Sequence, residues 1–525
     1  MHRPLRHALR QLAAVAALGV VMSGGPAWAA APIGHTPLDG QCLSADADDG
    51  QTPAFQRGRG REETTRGFLQ AARLRRAARS LRAPGGVLED PCAEKGAGCP
   101  PALQASFRAF DGAARDGDRA GVAIFGNSLI AADRIVNVIR RRLQEQLGDG
   151  GRGLLLPDRL GVVGPRDRTA SDASGWLPAT IADAEPKPEA RGVPRGIVGA
   201  VHVSTGPATS AFVLDGETRA TVLGWAGPRG SGLELRANGG RFHPVLSVDD
   251  GGGDDGGAGS PILHRFVLPE GARRVELRAT RPGAAVHGVV LEHDRGGVVV
   301  DTLGVAAADA KRFLTIDAPL FAAQLDARRP DLVVLMLGGN ETKRVAWGQD
   351  SVDDLRGYLT DLIRRVGPGP DRSCLVVGPI DAVVGADDLN GFREGLEPSP
   401  DPFRERPELQ AVIAMERYVA LVEGCAFFDL YAAMGGAGSL RRFHEADALH
   451  ADLVHPKELG LAVLGQLVAD AVLQGWASAP GVDMAGGDND DEDARAPVRG
   501  APFAVSTQLD EARVEQERPH PNQPL

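Results

Sequence analysis

From Val298 onward, short apolar runs alternate with helix-length amphipathic stretches. The runs fall at 298–300, 331–337, 375–377 and 426–429, and the helical patterns at 306–328, 352–366 and 408–422. Strands separated in this way cannot pair as hairpins, so the order predicts a parallel sheet covered by helices on both faces. One more unit of the same kind lies far upstream, a strand at 121–125 between helical patterns at 103–114 and 129–147. Between about 161 and 295 the period changes to short alternating runs such as Ala200-Val201-His202-Val203 and Val275-Glu276-Leu277-Arg278, separated by Gly, Pro and Asn. Residues 233–236, Asn238-Gly239 and 244–248 read as a hairpin within it. The chain is expected to be an α/β domain interrupted by an all-β insert, a sandwich.

A chain of 525 residues exceeds one hydrophobic core, which fits two folded units with flanking segments. Arg3, Arg6 and Arg10, the apolar stretch 12–22, and Ala27-Trp28-Ala29 ahead of Ala30 have the order of a secretory signal peptide, assigned to 1–29. The apolar stretch falls short of the roughly 20 residues that cross a bilayer, so a periplasmic or secreted mature protein is expected. No later segment reads as apolar enough to span a membrane. Residues 30–103 read as a linker and an arginine-rich helix at 59–83, and 478–525 as a disordered acidic, Pro-rich tail. The net charge of −11, which becomes −14 once the three leader arginines are removed, argues against a nucleic-acid partner.

An exported chain can oxidise its five cysteines. Cys92 and Cys99 close a short loop that suits a bridge. Cys374 and Cys425 each begin an apolar run, and either a disulfide between neighbouring strands or a buried pair of thiols fits them; Cys42 is left over. No Cys/His cluster has zinc-ligand spacing, and the Gly/Asp run at 249–256 reads as a solvated loop.

Three motifs carry chemistry. Gly126-Asn127-Ser128 follows the first strand, so Ser128 sits where a strand ends and a helix begins, which exposes a nucleophile. Gly338-Gly339-Asn340-Glu341 follows the 331–337 run and offers an amide donor. Asp452-Leu453-Val454-His455 supplies a general base and a carboxylate to orient it. Asp447-Ala448-Leu449-His450 has the same spacing, but only His455 is followed by Pro456 and by Gly460 at the head of an apolar helix. The catalytic candidates are Ser128, Asp452 and His455. The oxyanion candidates are the N–H groups of Ser128 and Gly304 and the Asn340 side chain.

In order and in residue type, Gly126-Asn127-Ser128, Gly304, Gly338-Gly339-Asn340 and Asp452-x-x-His455 resemble the SGNH (GDSL-type) hydrolases, whose signature residues are Ser, Gly, Asn and His. Arg152-Gly153-Leu154, the strand entered at Gly297, and 428–436 further resemble bacterial peptidoglycan O-acetylesterases. The resemblance implies a flavodoxin-like three-layer hydrolase domain in two parts, 104–160 and 296–477, around a carbohydrate-binding-module-like insert at 161–295. It also implies an esterase with no metal or cofactor, acting through an acyl-serine on acylated polysaccharide or peptidoglycan. Asn127 stands where the family usually has Asp, which bears on turn geometry. An O-acetyltransferase using the same triad and a non-catalytic glycan-binding scaffold are the alternative readings. Trp176 and Trp225 are the insert's candidates for a sugar platform.

Overall fold

The computed structural model describes residues 88–479 apart from 93–98, 161–167, 228, 248–258 and 390–398, together with the backbone of Ser506–Gln508. The leader pattern, Cys42, the arginine-rich stretch and the Gly/Asp run lie outside the described residues. So does the segment beyond 479, except that Ser506–Gln508 pairs in parallel with Ser260–Val267, a strand where only tail was expected.

Among the described residues, six strands form the first sheet: β1 (Leu88–Glu89), β2 (Arg119–Gly126), β3 (Gly297–Gly304), β4 (Leu332–Met336), β5 (Ser373–Val377) and β6 (Ala426–Phe428). Their spatial order is β1-β6-β5-β4-β2-β3, with β1 antiparallel and the others parallel. Leaving out the short β1, this is the flavodoxin-like arrangement, with the chain first turning one way from β2 and then the other. Register aligns the carboxyl ends, because Gly126 of β2 lies opposite both Gly304 of β3 and Met336 of β4. The serine block, Gly304 and the Asn340 block thus leave the sheet at one end, although the serine block lies far upstream of the other two.

Alternation along the strands builds two helix layers. Val122 and Ile124 face a core with the helices Gln104–Asp116, Arg134–Leu147 and Glu458–Ser478. Ala123 and Phe125 face the opposite core with Ala318–Arg328, Val352–Val366 and Leu409–Val422. Glu458–Ser478 is long and apolar enough to cross a membrane, contrary to the sequence expectation. Its apolarity has a packing cause: Val463, Leu464, Leu467, Val468 and Val472 are buried in the first core.

Two helices expected to be continuous are broken. The stretch 129–147 divides into Ser128–Ala131 and Arg134–Leu147 because Asp133 adopts a left-handed φ of 59°. Its buried carboxylate accepts hydrogen bonds from Arg140 and from the Thr302 hydroxyl, which offset the conformational cost. The stretch 306–328 divides into Ala310–Phe313 and Ala318–Arg328, the second starting at an Asp317 cap that accepts from Leu320 N at 2.9 Å, with Pro319 in the first turn.

The insert forms one antiparallel sheet rather than two separate ones. It curls over its own core: Phe266 and Val222 from one end of the strand order pack in the same cluster as Leu235 and Leu277 from the other. The expected hairpin forms, Leu233–Ala237 pairing with His243–Pro244. Gly153–Leu155, assigned from sequence to the hydrolase part, pairs instead with the insert strand Ala285–Glu292. Arg328 fastens the two sheets, binding Asp301 of β3 at 2.6 Å and Glu292 of the insert at 2.9 Å. Trp176 is buried with its indole N–H on Thr209 O, and Trp225 is partly buried, so neither forms an open platform.

Cys92–Cys99 is a disulfide, and of the two arrangements open for Cys374 and Cys425 the structure has the bridge. The second joins β5 to the residue that precedes β6 inside a fully buried layer.

Candidate active site

β2 ends in Gly126, whose missing Cβ is required: an added carbon would meet Ile130 Cγ1 at 2.4 Å and Met336 O at 2.7 Å. The chain can therefore fold back at once into the short helix Ser128–Ala131. Asn127 caps that helix, its Oδ1 accepting from Leu129 N at 3.0 Å. An amide oxygen does here what a carboxylate would do, so the Asn127 departure leaves the turn intact.

Ser128 Oγ lies 3.0 Å from His455 Nε2, and His455 Nδ1 lies 2.7 Å from Asp452 Oδ2. Asp452 Oδ1 also accepts from the backbone N–H groups of Val454 and His455, each at 3.0 Å. A left-handed Leu453 (φ 56°) tightens the turn that brings both side chains to one side. Burial raises the Asp452 pKa, but the His455 and Val454 hydrogen bonds outweigh it, and the carboxyl titrates below its ordinary value. The competing pair is set aside by the fold: His450 is exposed and donates its backbone N–H to His455 O, while Asp447 binds Lys457.

Asn340 sits in the first turn of the helix Gly339–Ala346 and gives one Nδ2 hydrogen to Ala308 O at 2.7 Å. A primary amide has two such hydrogens, so one remains for a ligand. Ser128 and Asn340 line one cleft of about 490 Å³, counting its open mouth, together with Lys343, Asp381 and Arg406. Gly304 ends β3 opposite Gly126. It packs behind the serine helix, where an added Cβ would stand 2.5 Å from Ala131 N.

Beneath Asn340 lies a pair of buried acids that the sequence did not suggest. Glu341 holds the start of the helix by accepting from Gly338 N at 2.9 Å and Ala310 N at 3.1 Å. Burial, then Asp309, pushes its pKa to about 7. Glu416 is raised well above 4.5 by burial and by Glu341, and its Oε2 has no hydrogen-bond partner among the described residues. Both keep protons that the unfolded chain releases, so folding stability falls as pH rises from 4.5 toward 7 and beyond. For Glu341 alone the penalty is on the order of 3 kcal/mol. Glu416→Gln is expected to flatten the decline in melting temperature between pH 5 and pH 8; an unchanged slope would place the penalty elsewhere.

Residues 268–463 match the GDSL-like lipase/acylhydrolase family, a span that includes Asn340 and His455 but not Ser128. No curated protein matches the chain. A peptidoglycan O-acetylesterase structure aligns with a TM-score of 0.57 at 20% identity, covering 75% of this chain and 100% of its own. A gut microbial diltiazem-metabolizing enzyme aligns at 15% identity over 33% of this chain and 39% of its own, with a TM-score of 0.22. A carbohydrate binding module of a Cellvibrio mixtus lichenase aligns at 16% identity over 23% of this chain and 90% of its own, with a TM-score of 0.16. The family match and the shared fold give the same result: this chain resembles the SGNH (GDSL-type) hydrolases, the O-acetylesterases among them, and carries their three-layer α/β fold with a β insert.

Proposed function

We propose that the protein is an exported serine esterase that removes a small acyl group, acetate in the first instance, from hydroxyls of a cell-envelope or extracellular polysaccharide. The observation that carries this reading is the unbroken chain of contacts from Ser128 Oγ through His455 to Asp452 at the carboxyl edge of the sheet. His455 Nε2 takes the Ser128 proton as Oγ attacks the ester carbonyl. The Ser128 N–H and the remaining Asn340 hydrogen then face the developing oxyanion. Collapse expels the sugar alkoxide, which receives the proton from His455 and leaves acetyl-Ser128. Water, deprotonated by His455, releases acetate and restores the serine.

The acylhydrolase family match supports ester cleavage. The His455 and Asp452 side chains are 43% and 42% exposed, an open rim that suits an ester presented on a polymer. Export is supported by the leader pattern and by two disulfides, which persist in oxidising compartments.

The test is a fluorophosphonate probe followed by mapping of the adduct. Phosphonylation of Ser128 with loss of fluoride is expected, and an unlabelled Ser128 under conditions that label a control esterase would reject the reading in favour of a scaffold. Analysis of products with a sugar acceptor present separates hydrolysis from acyl transfer.

A further inference from the structure

We propose that Lys343 recognises an anion in the Ser128 cleft, so that the preferred substrates are acyl esters of acidic sugars carrying a carboxylate near the esterified hydroxyl. The proposal rests on the esterase reading above and adds to it the chemical class of the sugar.

Lys343 stands three residues after Asn340 on the helix Gly339–Ala346, a spacing that puts both on one helical face, and both line the cleft. It is half-buried, yet it forms no ion pair and no side-chain hydrogen bond with any described residue. The neighbouring cations are committed. Arg406 grips Asp387 with two bonds of 2.6 and 3.1 Å, Arg344 pairs with Asp350, and Lys311 reaches Asp350 at 3.2 Å. An ammonium that has given up part of its hydration without a partner is a cost to the free protein, and a bound anion would offset it. The titration of Lys343 agrees: burial, then Arg406, lowers its pKa, while Asp387 and Asp452 act against them.

Two further observations sharpen the ligand class. Asp381 lines the same cleft at 1% exposure; its Oδ2 accepts from Leu440 N and Ser439 Oγ, whereas Oδ1 has no partner among the described residues. A sugar hydroxyl or amide N–H would satisfy it. The protein as a whole is acidic, at −11, so its general field repels polyanions. Selection for an acidic sugar must then come from a local cation beside the reacting ester.

The experiment compares acetate release from three acetylated methyl glycosides: a neutral glucoside, a glucuronoside and a 3-O-lactyl glucoside. The two acidic arms separate a ring carboxylate from an ether-linked one. For the wild type, kcat/KM on at least one acidic glycoside should exceed that on the glucoside by about tenfold, with the ratio shrinking as ionic strength rises. Lys343→Met should bring the ratio near one, and Lys343→Arg should keep it. Ser128-dependent hydrolysis with no acidic preference, or a preference that survives in Lys343→Met, would overturn the proposal alone. Acetate release from none of the three would overturn the esterase reading beneath it. Should the methionine variant fail to fold, the wild-type salt dependence and the arginine variant still decide.

Discussion

Ser128→Ala should lower acetyl-ester turnover by about 10³- to 10⁶-fold while leaving the fold intact. Oγ is the only atom removed, and its one described polar side-chain contact is the 3.0 Å approach to His455 Nε2. Nothing in the core depends on it, because the serine helix is seated by Leu129 and Ile130, by the Asn127 cap and by the close approach that Gly126 permits. Without the hydroxyl no acyl-enzyme forms, and what remains is water attack assisted by donors at the oxyanion position. Acetate release and probe labelling should disappear together, with an unchanged melting temperature. A variant that retained more than about a tenth of wild-type turnover would remove Ser128 from the chemistry.

Asp452→Asn should cost about 10²- to 10⁴-fold in kcat/KM, mostly in kcat. The carboxylate now accepts the Nδ1–H of His455 at 2.7 Å, which leaves Nε2 as an acceptor facing Ser128. An asparagine can keep its oxygen on the Val454 and His455 backbone N–H groups and turn its NH₂ toward Nδ1. That arrangement favours the opposite tautomer, with a proton on Nε2 where a base is needed. Asp452→Ala, which presents no wrong donor, should be less impaired than Asp452→Asn or equal to it. If the asparagine variant turned over at the wild-type rate, Asp452 would not be orienting the base.

Local determinants are what the amino-acid order carries most directly. A serine after a strand and a Gly-Asn pair, or an aspartate three residues before a histidine, is constrained by turn sterics acting over a handful of residues. Ser128, Asp452 and His455 were therefore legible before any contact was known, as were the alternating runs that make a parallel sheet. The helix breaks at Asp133 and at Asp317 were not. Asp133 is held by Thr302 and Arg140, and no helical period over 129–147 encodes a partner on β3. The insert boundary was misplaced for the same reason, since Gly153–Leu155 joins the second sheet through pairing with residues far downstream.

Within the cleft, Lys343, Asp381 and Arg406 share no spacing that a pattern could detect, and the Arg406–Asp387 pair shows itself only as a contact. The amino-acid order by itself determined which residue types were available and which turns would present the serine and the histidine, because backbone sterics and periodicity act along the chain. Only the tertiary structure decided that Ser128 meets His455 rather than His450, and that Gly304 packs behind the serine helix while Asn340 faces the cleft. It also decided that Lys343 lines that cleft without an ion pair to any described residue. Strand register and burial set those outcomes, and both are properties of segments brought together across the whole chain.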